Sequence, residues 1–541
     1  MRKVIWGTGV FASKFAYGMK EEIDFFIDNN DKKRGKYFLG KKILCPDEVV
    51  NWDELYIYIP YNFYDEITEQ LKEYGFKDEA RYQKYYEMNK ISAVQFENDY
   101  KRALGQLQQR EKQMKGLCLF WGAIWAYESK GCRWFIKEWQ ERDKAIRLGL
   151  VSEAIWYTQE EAEDIMKLPV VVTPAVFDDM LYIEDGALEE SQYIFLRDKK
   201  HVDYGIEYLK TQFPCLTDEN AYYILYYIYQ YVIHVIDTLH PKLIVVNGLT
   251  KMQHVVVEEI CTERQIPFIS THAGILPGTL SFDIFGEMGK SLPAIYSEKF
   301  LKLPINEEDV EYARRVWDYL YKSKLNRKKQ QKTNCIEYVR KNIDKDRPIV
   351  FFAGQHDIYS RMIPYTEETI KYRSPIFMTS IDAGIYMADL CKKNGWNFVY
   401  KPHPMKTQSE AKDRLPDNTI YVEFGDINDL IDISDVVVTI VSSTNYVALI
   451  RHKPVVMLGY TQTKGKGCTY EAFEKDLIEG TMKEALEKGF TKEQEEAFLK
   501  HIAQILKYYL YDDGLDREIR FGRKVPSSIE EFYELEKLLK N

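Results

Sequence analysis

Apolar and polar positions follow a strand–helix rhythm from the first residues. Lys3–Trp6 is a short apolar run that predicts a strand, followed by Gly7-Thr8-Gly9 and a helical pattern to Met19. Ile23–Ile27 predicts a second strand ending at Asp28, Tyr56–Ile59 another, and Tyr64–Tyr74 a helix. Together they predict a small Rossmann-like module over residues 1–88. Residues 84–115 are charged, Gln-rich and free of proline, which predicts an exposed linker helix, placed at 89–115. A dimerising coiled coil is the alternative there, although its apolar spacing is thin.

A second α/β region begins at Gly116. Leu243–Val246, His254–Arg264 and Pro267–Ser270 read as strand, helix and strand, which implies a right-handed crossover and a parallel sheet. Residues 306–345 are polar and helical and read as a connection between domains. A third α/β region follows. Its predicted strands are Pro348–Ala353, Trp396–Lys401, Ile420–Glu423, Val436–Ile440 and Pro454–Leu458. Its helices are Ile381–Asn394, Ile427–Ile433 and Asn445–Arg451, with more helix from about Tyr470 onward. The expected fold class is α/β, with domains at 116–300 and 301–541 after the N-terminal module and linker.

Composition narrows the function classes. The 541 residues are 45% apolar and 29% charged, which excludes a disordered chain. Lys and Arg number 74 against 84 Asp and Glu, a net charge of −10, which argues against a dedicated nucleic-acid binder but allows a local basic pocket. The eight cysteines are scattered with no C-x-x-C pair, so reduced, mostly buried thiols are expected. The N-terminus does not read as a secretory signal. The most apolar window, Ala221–Ile236, falls short of the ~18 uninterrupted apolar residues of a membrane span. It reads as a buried amphipathic helix, with an interfacial helix as the alternative. A cytoplasmic location follows, with peripheral attachment at the inner face of a membrane as the variant. The 41 tyrosines cluster in helices, as at Tyr222, Tyr223, Tyr226, Tyr227, Tyr229 and Tyr231, and read as core packing with hydroxyls at the rim. Lys322–Lys332 reads as a solvated helix face, with anionic lipid headgroups as the alternative partner.

Candidate chemistry concentrates in the third region. Ligands of parallel α/β sheets bind beyond the carboxyl ends of the strands. Four predicted strand ends carry unusual residues: Gly354-Gln355, Lys401-Pro402-His403-Pro404, Glu423-Phe424-Gly425-Asp426 and Val441-Ser442-Ser443-Thr444. Short hydroxyls and free N–H groups at Ser442–Thr444 favour a phosphate, and Lys401 and His403 can add positive charge. The plainer readings are an ordinary helix cap and a loop histidine.

VYKPHP at 399–404 and ISDVVVTIVSSTNYVALIRHKPVVMLG at 433–459 resemble the capsule polysaccharide biosynthesis glycosyltransferases. The same His-Pro and Ser-Ser elements are similar to those of bacterial Kdo-, sialyl- and polysialyltransferases. The resemblance implies a GT-B fold of two facing Rossmann-like domains and a nucleotide-sugar donor, CMP- or UDP-linked. It assigns His403, Pro404, Ser442 and Ser443 to the donor site. Around them we place Gly354, Gln355, Lys401 and Thr444, with Glu423 or Asp426 near the ribose or base. No metal and no cofactor is required, because fixed cations and helix N-termini can stabilise the departing charge.

The family carries an acidic residue and a glycine in a loop on the acceptor side. Here the matching stretch, 270–291, has His272-Ala273-Gly274 instead. His272 is the candidate base, since histidine titrates near working pH. Asp283 and Glu287 compete with it, and a hydrogen-bonded strand-end histidine is the plainer reading. Gly7-x-Gly9-x-x-Ala12, with Asp28 further on, fits a dinucleotide fingerprint. A packing or interaction module without a bound nucleotide is the alternative. The expected activity is transfer of a sugar from a nucleotide donor to a saccharide acceptor, which could be lipid-linked, in surface polysaccharide synthesis. Rival readings are a glycerol- or ribitol-phosphate transferase, a nucleotide-sugar epimerase, and a non-catalytic sugar-nucleotide-binding scaffold.

Overall fold

The computed structural model describes the chain apart from residues 10–11, 13–14, 17–18, 20–21, 61–63, 77, 86–89, 125–126, 128, 154–157, 179–180, 328–332, 404–411 and 541. The chain divides into two units. The first holds Met1–Glu128, Arg147–Ile244 and Lys251–Pro267, and the second Ser129–Ile146, Val245–Thr250 and Phe268–Asn541.

In the first unit, β1 (Arg2–Trp6), β2 (Phe25–Ile27), β3 (Lys41–Leu44), β4 (Leu55–Pro60) and β5 (Tyr82–Tyr85) form a parallel sheet in the order β3-β2-β1-β4-β5. A short strand, Tyr37–Phe38, adds antiparallel to β3. Val4 and Trp6 enter one core and Ile5 the other. Burial on both faces explains why β1 reads as a continuous apolar run. Helix α1 (Tyr64–Glu73) lies where the pattern placed it. The helix expected between Gly9 and Met19 falls largely outside the described residues.

The segment expected as an exposed linker is instead a packed helix. In α2 (Ala93–Met114), Phe96, Ala103, Leu107 and Met114 are buried. These residues recur at seven, four and seven positions, a narrow stripe that suffices to dock one face. That face lies against α3 (Asp218–Leu239). Beside it run three parallel strands, β6 (Cys118–Gly122), β7 (Leu148–Ser152) and β8 (Val170–Val172). The tyrosines of α3 pack as expected: Tyr229 is buried, and its hydroxyl donates to Glu259 at 2.7 Å. Two further elements follow, β9 (Leu243–Asn247) and α4 (Met252–Glu263). Among the described residues no helix is long and apolar enough to cross a membrane.

The longest segment of the second unit, Phe268–Asn541, begins with a hairpin. In it β10 (Phe268–Ala273) pairs antiparallel with β11 (Thr279–Asp283), which pairs in turn with the strand Leu510–Asp512. The pattern predicted that β10 ends at Ser270, but the strand continues, placing His272 opposite Ser281. The pairing with Leu510–Asp512 also draws residues 268–300 into the unit that holds 301–541, so the division expected at 300 falls elsewhere. The expected connection, α5 (Glu307–Ser323), buries Ala313, Val316, Trp317 and Leu320 and packs on the helix Lys492–Tyr508.

Six parallel strands build the main sheet of this unit: β12 (Ile349–Ala353), β13 (Asn397–Lys401), β14 (Thr419–Tyr421), β15 (Val436–Thr439), β16 (Val455–Met457) and β17 (Tyr470–Glu471). Their order is β14-β13-β12-β15-β16-β17. Phe351, Val399 and Val437 enter one core, and Phe352, Tyr400 and Val438 the other. Helices α6 (Ser380–Asn394), α7 (Ile427–Ile433) and α8 (Thr444–Ile450) complete the α/β alternation. Chain direction across the sheet reverses between β12 and β15. That reversal is where the crossover helices part and leave a crevice at the strand ends.

Candidate functional site

A cavity of about 310 Å³ opens at this reversal, wholly within the second unit. Of the residues singled out in the sequence, it brings together His272, Gly354, Gln355, Lys401, His403, Ser442, Ser443 and Thr444. Thr250, Glu287, Arg327, His356, Tyr359 and Ser360 also line it. Asp283, Glu423 and Asp426 do not. Pro404 lies outside the described residues. Gly7, Gly9 and Asp28 belong to the first unit.

Two residues fix the wall beside Ser442–Thr444. Gly354 donates its N–H to the Lys401 carbonyl at 2.9 Å, and a Cβ there would lie 2.7 Å from the Tyr400 hydroxyl. Only glycine lets β12 and β13 end this close. Gln355 is 4% exposed. Its side-chain oxygen accepts the Val441 N–H at 2.8 Å, and its amide nitrogen donates to Ser360 at 3.1 Å. Beyond Val441, the Ser442 hydroxyl accepts the Thr444 N–H at 3.2 Å, shaping the turn into α8. Asn445 anchors that turn from beneath, donating to Thr461 at 2.8 Å and to Thr463 at 3.0 Å.

Lys401 projects into this wall at 6% exposure, and among the described residues none accepts a hydrogen bond from its ammonium. Burial lowers its pKa, while Cys335 and Asp426 pull the other way. A buried, unpartnered ammonium is unfavourable alone, and an anion beside it restores the lost solvation. Asp426, expected near the ribose or base, instead caps α7, accepting the Asn428 N–H at 2.9 Å. Glu423 is half-buried outside the cavity. The ring of His403 meets His356 edge-on at 5.8 Å, and His356 stacks on Tyr359 at 4.1 Å. Of this aromatic group, only His403 was marked in the sequence.

The opposite wall carries the proton-transfer candidates. His272 Nδ1 lies 3.1 Å from Glu287 Oε2, and its Nε2 lies 3.1 Å from the Ser270 hydroxyl. Alternation along β10 places Ser270 and His272 on one face. Gly248, at φ +74°, leaves the ring its space, since a Cβ would lie 3.0 Å from His272 Cε1. Burial lowers the His272 pKa; Glu287 opposes this, and Arg327, Arg373 and Arg361 add to it. For Glu287 burial acts upward, but His272, Arg373, Arg327 and Arg361 outweigh it and hold the carboxyl below its usual range. The pair therefore rests as neutral imidazole and carboxylate, with the hydrogen on Nδ1 assigned from the Glu287 contact. Arg373 also donates to the Glu287 carbonyl at 3.0 Å, and Glu368 pairs with Lys290 at 3.0 Å and Arg361 at 3.3 Å behind it.

Asp283 is no base of this cavity. It is 1% exposed and accepts the N–H groups of Phe285 at 2.8 Å, Gly286 at 3.3 Å and Leu292 at 2.8 Å. It shapes the loop that carries Glu287. The dinucleotide fingerprint fares similarly. The Asp28 carboxylate accepts from the Thr8 hydroxyl, from Lys33 at 2.9 Å and from the Asn30 N–H at 2.9 Å. Asp28 thus holds together the turn of its own module.

Fold and cavity together define a Rossmann-type unit with an anion-seeking crevice at its switch point. Residues 388–487 match the family of capsule polysaccharide biosynthesis proteins, so the resemblance carried by 399–404 and 433–459 is borne out over that stretch. Residues 1–80 match the N-terminal family described as C2185-like. No curated protein matches the chain. Among solved structures, the chain is similar to KpsC of Thermosulfurimonas dismutans, titled a beta Kdo 2,7 transferase. The identity is 20%, over 50% of this chain and 80% of that one, at TM-score 0.31. It is also similar to a glycosyltransferase from Rickettsia africae ESF-5 (10%, covering 72% and 93%, TM-score 0.29). A third is the UDP-GlcNAc 2-epimerase from Neisseria meningitidis bound to UDP-GlcNAc (12%, covering 72% and 94%, TM-score 0.28). Likenesses this distant say nothing of this chain's substrates.

Proposed function

We propose that the chain is a glycosyltransferase of surface polysaccharide synthesis, moving a sugar from a CMP- or UDP-linked donor to a saccharide acceptor. The observation that carries this reading is Lys401: a buried ammonium with no acceptor among the described residues, opening on a crevice beside Ser442–Thr444. The leaving phosphate would rest against Lys401, His403 and the Ser442–Thr444 turn. The acceptor oxygen would bond to the anomeric carbon as the bond from that carbon to the phosphate oxygen breaks, its electron pair leaving with the phosphate. Both ring nitrogens of His272 already have partners, so the geometry favours Glu287 as the proton acceptor. His272 holds the carboxylate in place. This reverses the order of preference that the sequence suggested. Positive charge fixed at the leaving group acts where charge develops.

Calorimetric titration with CMP, UDP and CDP, followed by turnover against donors of the nucleotide that binds, tests the reading. Transfer to a saccharide supports it. Binding without turnover would favour a scaffold, transfer of a polyol phosphate from a CDP donor the phosphate transferase, and isomerised donor the epimerase.

A further inference from the structure

Arg327 is a second cation of the cavity besides Lys401. Among the described residues it makes no hydrogen bond or ion pair. Its charged neighbour is Glu287, already held by the His272 ring at 3.1 Å and flanked by Arg373. Lys290 and Arg361, in contrast, are taken up by Glu368. Among the described residues the cavity wall thus has two cationic positions, Lys401 and Arg327, against one carboxylate, Glu287. Lys401 belongs to the wall beside Ser442–Thr444. Arg327 lines the same cavity as Glu287 and His272, and its charge bears on both.

We propose that Arg327 seats a second anionic group, carried by the acceptor: a carboxylate or phosphate on the sugar whose hydroxyl faces Glu287. The planar guanidinium suits two-point recognition of either group. An anion seated there would also offset the positive charge that depresses Glu287, making it a stronger base only when the acceptor is in place. This inference rests on the transferase reading.

The test uses the full chain loaded with whichever nucleotide, CMP or UDP, titrates. The probes are methyl β-glucuronide (carboxylate), glucose 6-phosphate (phosphate) and methyl β-glucoside (neutral), with calorimetry or saturation-transfer NMR as the readout. One of the anionic probes should bind about tenfold or more tighter than the neutral one, and which of them does identifies the group. Arg327→Gln should erase that preference while nucleotide affinity stays within about twofold, and Arg327→Lys should restore part of it. Equal binding of all three probes to the wild type, or a preference that survives Arg327→Gln, overturns the assignment while leaving the transferase reading standing. Failure of the wild type to bind any nucleotide removes both.

Discussion

The Gln355 side chain spans the sheet's reversal point, its oxygen accepting the Val441 N–H at 2.8 Å. This bond ties the end of β12 to the start of the Ser442–Thr444 turn, so the two strand ends that build this wall of the crevice keep a fixed separation. Gln355→Ala should cost about 1–3 kcal/mol in denaturant unfolding, because the buried Val441 N–H loses its acceptor. Nucleotide affinity should fall with it, by about tenfold or more in calorimetry, because the turn is no longer positioned. Unchanged affinity would detach the turn from ligand binding.

Lys401 predicts opposite movements of stability and binding. Replacing it with Met removes a buried ammonium that has no acceptor among the described residues, but keeps the stem's volume. Lys401→Met should therefore stabilise the free protein by about 1–3 kcal/mol. The same variant should lose nucleotide affinity by about tenfold or more, the loss expected for a charge-assisted hydrogen bond. Thermal unfolding with and without nucleotide reads both effects in one experiment. A destabilised variant would mean that Lys401 already has a protein partner.

The His272–Glu287 pair separates two roles kinetically. Glu287→Gln should lower kcat about 10²–10⁴-fold, the usual contribution of a positioned acid or base. His272→Ala should cost less, about 10–100-fold, since it removes the support and leaves the carboxylate. Neither should alter donor KM appreciably. A larger loss for His272→Ala than for Glu287→Gln would make the imidazole the base.

Asp357 makes stability depend on pH near neutrality. Burial pushes its carboxyl up to about 7, although both oxygens accept the Ser380 N–H, at 2.9 and 3.0 Å. The folded chain holds this proton more tightly than the unfolded one. The stability it contributes is thus complete below the ordinary carboxylate pKa and is lost as pH rises through about 7. Asp357→Asn keeps an acceptor for Ser380 and cannot ionise. Relative to this variant, the wild type should lose about 1.4 kcal/mol between pH 6 and 8, measured by urea unfolding. A pH-independent difference would place the titration elsewhere.

Arg517 clamps the hairpin that carries His272. It pairs with Asp513 at 2.6 Å and Asp512 at 3.1 Å, and donates to the Gly278 carbonyl at 3.0 Å. Arg517→Ala leaves these buried carboxylates without their main partner and should destabilise the fold by about 3–5 kcal/mol in denaturant unfolding. A loss under about 1 kcal/mol would show that Arg520 and the backbone compensate.

Much of the parallel sheet around the cavity was legible in the sequence. Its strands are apolar on both faces, and Gly354, Lys401 and Ser442 follow strand ends that such runs mark clearly. The short strands β11 and Leu510–Asp512 were not legible. Their pairing joins residues more than two hundred positions apart, and nothing local announces a partner at that distance. β10 seemed to end at Ser270 because Thr271-His272-Ala273-Gly274 reads as a polar, small-residue turn, whereas its first three residues pair with Leu280–Phe282 across the hairpin. Asp283 misled because a carboxylate in a glycine-rich loop has the same appearance whether it faces a ligand or three backbone amides. Lys401 was recognised as a cation, but its solitude is a property of the folded surroundings. Arg327 lay inside a basic run that reads as solvated surface. Asp28 matched a motif by position, whereas its engagement depends on Lys33 folding back.

Asp283 has an implication for natural sequence variation. It lies outside the crevice, yet the three amides it gathers set the path of the chain leading to Glu287. A change at this position would displace Glu287 without touching the crevice, and a survey of crevice-lining positions alone would pass over it. Among relatives, an acidic residue here need not mark chemistry at all, and its exchange for asparagine would be better tolerated than its exchange for glutamate.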